Sequence, residues 1–436
     1  MNQNSIHAKS EARVLFVDMD SFFARCEQQV NYWLRGRPVG VCVYTGKYGC
    51  VISLSKEAKA LGIKAGTRLN EVMELCPDFV PIESNPTRYR EFHVKIISVL
   101  QEYCQDVVPK SIDEAIINLT DYKLVHPDPI ALARKIKQDI LDKVGDFLSC
   151  SIGIAPNAFL AKLGSVIGKK KTGPDAGLQL IDPGNIDSLL GQLKLGQLPG
   201  IGRQMSYRLE RAGINTPLEM RYAEPHKLKA IFKSIEGIYW HYRLNFIETN
   251  IVAHEYKGMQ AMRQVSKEKR ESAEYMEQLF LTLCCTLEKR MVRHKFYCKA
   301  IGFSCHYVNG TRWEDGFTIS TPIQDAISLM NMIKLRIAKF EETTKCAPIF
   351  NNQITSLRLS VTNFVNNGNM LYSLFEDMDK METARKTMHS IKDQFGHNKI
   401  MRAVEMTDNK VIKDVIGFGS VKDLTDLDYA VIPRYD

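Results

Sequence analysis

The sequence predicts an α+β protein of several domains. Three observations carry that expectation. Up to about residue 176, buried-strand patterns alternate with amphipathic helices. The texture then changes to short helices, and a further set of strands and helices follows a polar stretch at 250–256. With 436 residues, the chain is long enough for roughly two to four domains.

The elements follow in order. Val14-Leu15-Phe16-Val17 is apolar without interruption, as in a strand buried on both faces. It ends in Asp18-Met19-Asp20, and Ser21 stands where it would cap a helix to about residue 29. Residues 38–44 and 50–53 read as a strand pair around the loop 45–49. Ser55 caps a short helix over 56–61, stopped by Gly62. A helix over 88–103 precedes a hairpin made by Val107-Val108 and 115–119. Another helix over 130–144, a strand over 148–155 and a helix from Asn157 to Gly168 complete a sheet expected to carry its helices on one face. Beyond 178 come short helices, with a sharp turn at Gly200-Ile201-Gly202. After 250–256, read as a linker, the pattern gives helices over 271–292 and 323–340 and strands over 298–307, 317–320 and 356–364. Past Val365 the chain reads as polar and irregular, and no internal repeat is present.

Composition narrows the class. The apolar fraction of 44% and charged fraction of 25% are those of a soluble globular protein. No apolar run is long enough to cross a bilayer, and residues 1–13 lack a signal-peptide core, so the expected location is the cytoplasm. The net charge of +8 suits a polyanionic partner without proving one. The 11 cysteines form no C-x-x-C pair, which predicts reduced thiols rather than disulfides or zinc.

The chemistry sits in the acids. Asp18 closes a buried strand, and Asp113 and Glu114 lie at a hairpin tip. Adjacent carboxylates on a regular strand point to opposite faces, whereas at a turn they converge. Acids at buried strand ends need a cation or a hydrogen-bond network, and hard divalent ions prefer oxygen ligands. Two such ions roughly 3.5–4 Å apart activate an attacking hydroxyl and stabilise a leaving pyrophosphate. Alone, D-x-D is common and seldom binds metal, and S-I-D-E would read equally well as a solvated turn or a helix cap. The pairing of two strand ends far apart in sequence favours metal binding.

Five stretches together resemble the Y-family, or translesion, DNA polymerases of the UmuC/DinB group. They are VLFVDMDSFFARCE at 14–27, GCVISLSKEAKALGIKAG at 49–66, SIDEAIINLT at 111–120, SIGIAPNAFLAKLGSVIGK at 151–169 and LPGIGRQMSYRLERAG at 198–213. The stretch at 49–66 is most similar to the UmuC, polymerase V type. The resemblance implies a right hand: a palm at 11–28 and 85–176, small fingers at 29–84, a thumb at 177–245, a linker at 246–255, a little finger at 256–365 and an extension at 366–436.

It also implies roles. Asp18, Asp113, Glu114 and the Met19 carbonyl match the ligands of two Mg²⁺ ions. Phe23 matches the aromatic gate against a ribose 2′-hydroxyl. Lys59 and Lys169 match cations on the incoming triphosphate, while Ser53 and Lys56 occupy positions where the family commonly has Thr or Ala and Tyr. Gly200 and Gly202, with Arg203, match a helix-hairpin-helix on DNA phosphate. Arg263, Lys267, Lys269, Arg270, Lys299, Arg312 and Arg358 are candidate phosphate contacts of the little finger. Leu371-Tyr372-Ser373-Leu374-Phe375 resembles the sliding-clamp peptide Q-L-x-L-F, departing at its first two positions. The implied activity is template-directed, low-fidelity DNA synthesis by a monomer on primer-template DNA with deoxynucleoside triphosphates, with accessory subunits as in polymerase V an open question. A palm-type nucleotide cyclase and a non-catalytic DNA scaffold are the alternatives. The hairpin motif and extra basic domain argue against the first, and the three retained acids against the other.

Overall fold

The first apolar run forms strand β1 (Val14–Met19), buried along its whole length. The structure is a computed structural model that describes residues 11–46, 49–249, 257–366, 378–395 and 400–403. The linker 250–256 and the clamp-like peptide 371–375 lie outside the described residues. Helix α1 (Phe22–Val30) follows β1. Ser21 stands at its N-cap position but does not cap it. Its backbone is left-handed, with φ 51° and ψ 41°, and its hydroxyl accepts a hydrogen bond from Lys59 instead. Reversing from strand to helix within two residues uses a conformation that turns the hydroxyl away from the first helical N–H groups.

Strands β2 (Val39–Cys42) and β3 (Val51–Leu54) pair antiparallel, as the sequence predicts. Ser55 caps α2 (Lys56–Ala60) by accepting from the Ala58 N–H at 3.2 Å. Helix α3 (Leu69–Leu75) and strand β4 (Val80–Glu83) carry no clear periodicity, and the sequence does not predict them. β4 lies parallel to β2, and the three strands close a small core over Val51, Leu54, Ala58, Leu69 and Val72.

The larger sheet is then assembled. Helix α4 (Pro86–Gln101) is capped by Asn85, and the hairpin β5 (Val107–Pro109) and β6 (Glu114–Asn118) follows it. Helix α5 (Pro129–Lys143), strand β7 (Cys150–Ala155), helix α6 (Ala158–Gly168) and strand β8 (Leu178–Leu180) complete the set. The strand order is β5-β6-β1-β7-β8, which puts β1 in the centre. Helices cover both faces, not one. Leu15, Val17 and Met19 pack with α4 and α5, whereas Val14 and Phe16 pack with α6. This is why β1 is apolar at every position up to Asp18. Gly153 permits the packing of α6: a Cβ there would lie 1.9 Å from the Ala161 carbonyl oxygen on that helix.

Five short helices continue this unit: α7 (Ile186–Gly191), α8 (Arg203–Arg211), α9 (Pro217–Tyr222), α10 (Pro225–Phe232) and α11 (Glu236–Leu244). They share an apolar cluster with α6, and the buried Asn157 side chain donates to the Arg243 carbonyl at 2.8 Å.

A separate compact unit begins after residue 250. It runs β9 (Gly258–Gln264), α12 (Lys267–Arg270), α13 (Ala273–Arg293), β10 (Phe296–Tyr307), β11 (Arg312–Ile323), α14 (Ala326–Thr344) and β12 (Ile354–Asn366). The antiparallel order is β11-β10-β12-β9. The sequence does not predict β9, β11 is longer than its pattern suggests, and α14 starts at Ala326 behind the Asp325 cap. One sheet face packs on α13 and α14.

The tail is not wholly irregular. Helix α15 (Met378–Phe395) packs against α13, where Glu288 is 2% exposed. Glu288 accepts from the Ala326 N–H at 2.9 Å, from Arg402 at 2.8 Å, and faces His389 at 3.0 Å. Burial alone would raise its carboxyl, but the bonds from His389 and Arg402 outweigh burial and hold it down at about 2, below the ordinary 4.5. Its contribution to stability is therefore complete above pH ~4.5 and is lost as pH falls towards 2. Arg402→Ala is expected to cost about 3 kcal/mol by leaving a buried charge without its cation. Urea unfolding of the full chain at pH 7 measures this. Between pH 5 and 3, Glu288→Gln should lose less stability than the unsubstituted chain.

Candidate active site

Strand register brings the three acids to one end of the large sheet. Asp18 lies directly opposite Glu114 in the β1–β6 ladder, and the Met19 N–H donates to the Asp113 carbonyl at 2.9 Å. Asp18 is 7% exposed. Burial first, then repulsion from Asp113 and Glu114, pushes its carboxyl up to about 6 against the pull of Lys169.

Each acid has its own partner. The Lys169 ammonium lies 2.7 Å from Asp18 and 3.9 Å from Asp20. Lys162 straddles Glu114, with contacts of 2.8 and 3.0 Å to its two oxygens. The Ser111 hydroxyl donates to Asp113 at 2.5 Å. Turned this way, no three His, Cys, Asp or Glu side chains among the described residues are set closely enough to hold an ion as they stand. The donor set nevertheless fits divalent ions. It consists of hard oxygens on neighbouring strand ends, it is crowded enough to shift Asp18, and two ammonium groups supply the positive charge it needs.

Asp18 and Asp113, but not Glu114, border a cavity of about 450 Å³ whose lining also includes Met19, Phe23, Ser53, Lys59 and Lys169. Lys59 comes from α2 and donates to Ser21 at 2.7 Å. Burial and the neighbouring Lys169 both lower its pKa. Ser53 accepts from the Ala24 N–H at 3.3 Å, which ties β3 to α1 beside the aromatic. The Phe23 ring stacks on Tyr89, with centroids 4.5 Å apart at 21°. Tyr89 is fully buried and donates to Glu27 at 2.8 Å, while Glu27 also pairs with Arg88.

One expected member is displaced. Lys56 is exposed at the first turn of α2 and does not line the cavity, because capping by Ser55 fixes a helical phase that turns Lys59 inward. The sequence pattern also left several members unmarked. Lys64 lines the cavity, Lys162 engages Glu114, and Asp20 accepts from the Ser149 and Ser151 hydroxyls at 2.8 and 2.9 Å. Lys162 stands seven residues, or about two helical turns, before Lys169, and that spacing is the signal that could have found it.

Two family models match this chain. The impB/mucB/samB family matches residues 17–166, and the C-terminal domain of that family matches 257–374, together more than half of the chain. The chain belongs to the Y-family DNA polymerases. This Y-family chain is 32% identical over 234 residues to a DNA polymerase IV of Sulfurisphaera tokodaii, covering 53% of this chain and 64% of that relative. It is 34% identical over 233 residues to a DNA polymerase IV of Staphylococcus aureus, covering 53% and 63%. The matched region thus spans less than two thirds of the length of these relatives. A solved Y-family DNA polymerase chimera shares the fold, with a TM-score of 0.64 at 23% identity, covering 81% of this chain and 99% of that one. An insertion ternary complex of Dbh DNA polymerase has a TM-score of 0.55, also at 23% identity and the same coverage.

Elsewhere in the Y-family chain, Gly200 has φ +94° and Gly202 is the N-cap of α8, immediately before the exposed Arg203. A Cβ on Gly202 would meet nothing within 4 Å, so packing among the described residues does not account for that glycine. On the C-terminal unit, the sheet face away from α13 and α14 carries Gln260, Gly302, Ser304, Arg358 and Ser360 around a hollow of about 440 Å³. Arg358 lies directly opposite Ser304 across the β10–β12 pair. The buried Arg358 Nε and the Ser304 hydroxyl have no hydrogen-bond partner among the described residues. Arg312, which also borders the hollow, pairs with Glu314. Arg263 is a correction. It stands two residues from each of the core residues Ala261 and Val265 and opposite the core residue Leu357, so strand period places it on the helix-covered face. Lys267 and Lys269 are exposed on α12, and Lys299 is half-buried at the irregularity between Cys298 and Ala300. All 11 cysteines are free thiols, and no helix among the described residues is long and apolar enough to cross a membrane.

Proposed function

We propose that this chain is a template-directed DNA polymerase that adds deoxynucleotides to a primer 3′ end, of the low-fidelity, lesion-tolerant kind. The observation that carries the reading is one cavity bordered by Asp18, Asp113, Lys59, Lys169 and Phe23 in a Y-family chain. Asp18, Asp113, Glu114 and the Met19 carbonyl are proposed to hold Mg²⁺. When bound, Mg²⁺ supplies the charge that acidifies the primer hydroxyl and neutralises the leaving pyrophosphate. Lys59 and Lys169 take the triphosphate oxygens, where charge spreads in the transition state. Lys169 thereby exchanges Asp18 for phosphate, and Lys162 steadies Glu114. Phe23 closes the floor beneath the sugar.

The parts are proposed to follow the right-hand division given above, with a palm, small fingers, thumb and little finger. Gly202 and Arg203 contact a DNA phosphate from the thumb. Arg358 with Ser304 does so from the little finger, joined by Lys267 and Lys299. A sliding clamp is proposed to take the peptide at 371–375. A monomer acting in the cytoplasm fits this reading, and accessory subunits would be revealed by stimulation of extension in the test below.

The test is primer extension with Mg²⁺, deoxynucleoside triphosphates and either an intact or a damaged template. Template-dependent extension is expected, and its absence from a folded, DNA-binding preparation would sink the reading. Two further outcomes follow. Asp18 must shed its proton to bind metal, so Mn²⁺ affinity of the free protein should hold above pH ~6 and fall about tenfold per unit below it, as followed by electron paramagnetic resonance. Gly202→Val should lower the melting temperature only slightly, since a Cβ there meets open space and only the N-cap of α8 is weakened, yet weaken DNA binding about tenfold or more in fluorescence anisotropy by blocking phosphate approach.

A further inference from the structure

Helix α4 runs behind the acidic hairpin, and one polar side chain on it reaches that hairpin. His93 is buried, and its Nδ1 lies 2.8 Å from the Ile112 carbonyl oxygen. For that carbonyl to accept, the imidazole must carry its proton on Nδ1. Ile112 is buried, and the next two residues are Asp113 and Glu114.

The tip of this hairpin holds its shape through a short set of bonds. The Lys110 and Ser111 N–H groups both donate to the Glu114 carbonyl, at 2.8 and 3.2 Å. The Asp113 carbonyl takes the Met19 N–H, and Ser111 holds the Asp113 carboxylate. The Ile112 carbonyl lies between these and is fixed from another element, 19 residues earlier in the chain. Rotating that peptide would redirect both acids, because it immediately precedes Asp113.

We infer that His93 is a positioning residue for the acid pair: by holding the Ile112 carbonyl, it sets the direction in which Asp113 and Glu114 leave the hairpin. The inference rests on the polymerase reading, for which these acids are the metal ligands. Burial lowers the His93 pKa to about 4, so at neutral pH the ring is uncharged and brings no positive charge against the bound ions. A histidine that served packing alone would be replaceable by any apolar group of similar size without effect on chemistry.

The test compares His93→Leu and His93→Gln in the full chain. Mn²⁺ binding to the free protein, kcat, KM for the nucleotide, DNA affinity and thermal unfolding are measured together. His93→Leu should weaken Mn²⁺ binding and lower kcat about ten- to a hundredfold, the usual effect of losing a group that orients a metal ligand. KM and DNA affinity should be unchanged, and His93→Gln, which retains a donor, should recover part of both losses. A folded His93→Leu protein with unaltered Mn²⁺ affinity and kcat overturns the inference. If His93→Leu does not fold, His93→Met, which also lacks a donor, decides: reduced Mn²⁺ affinity and kcat at unchanged DNA affinity support the inference, and values equal to those of the unsubstituted chain overturn it. An unsubstituted chain that binds no Mn²⁺ and extends no primer overturns the polymerase reading itself, a result distinct from either of these.

Discussion

Asp113→Ala is expected to abolish primer extension while leaving the fold and DNA binding in place. The Asp113 side chain touches Ser111, but the bond that ties the hairpin to β1 uses its backbone carbonyl, which alanine keeps. Removing the carboxylate also relieves repulsion on Asp18. Stability should therefore hold or rise slightly. Losing one metal ligand removes several kcal/mol of transition-state stabilisation, so kcat should fall by about a thousandfold or more. Single-turnover extension measures the rate, and anisotropy with primer-template measures binding. Extension at close to the original rate would remove Asp113 from the catalytic centre and leave the polymerase proposal without its chemistry.

Phe23→Leu should admit ribonucleotides. The ring lines the cavity and cannot swing aside, because it is stacked on Tyr89, which Glu27 anchors in turn. A 2′-hydroxyl pressed against a fixed ring meets an overpacking cost of about 1–3 kcal/mol, or roughly ten- to a hundredfold in discrimination. Leucine is shorter and leaves room for the hydroxyl. The ratio of kcat/KM for deoxy- and ribonucleotides should fall by that factor, with deoxynucleotide incorporation little affected. An unchanged ratio would show that sugar selection resides elsewhere in the cavity.

Much of this site is legible in local sequence. The apolar run before Asp18 makes β1, and Asn157 and Ser55 cap the helices they precede. Asp113 and Glu114 fall at a hairpin tip because turn residues separate two short apolar segments. The less periodic elements are harder to read. α3, β4 and β9 carry little pattern, and Ser21 has the residue type of a cap but a backbone that prevents capping. Helix α15 has a polar composition that looks irregular until Glu288 is seen to hold His389 and Arg402.

The sequence by itself determined the chemical inventory: three acids at strand ends, lysines and an aromatic at fixed spacings, and glycines in a sharp turn. These depend on helix and strand periods and on turn chemistry, which act over a few residues. Only the tertiary structure decided which groups meet. Asp18 faces Glu114 because β1 and β6 pair in one register; Lys162 and Lys169 reach the acids, and His93 the Ile112 carbonyl before them, because α6 and α4 pack on opposite faces of that sheet. It also removed Arg263 and Lys56 from the surfaces expected of them, through strand period and helical phase. Register and packing arise from contacts between segments far apart in the chain, and no local pattern encodes them.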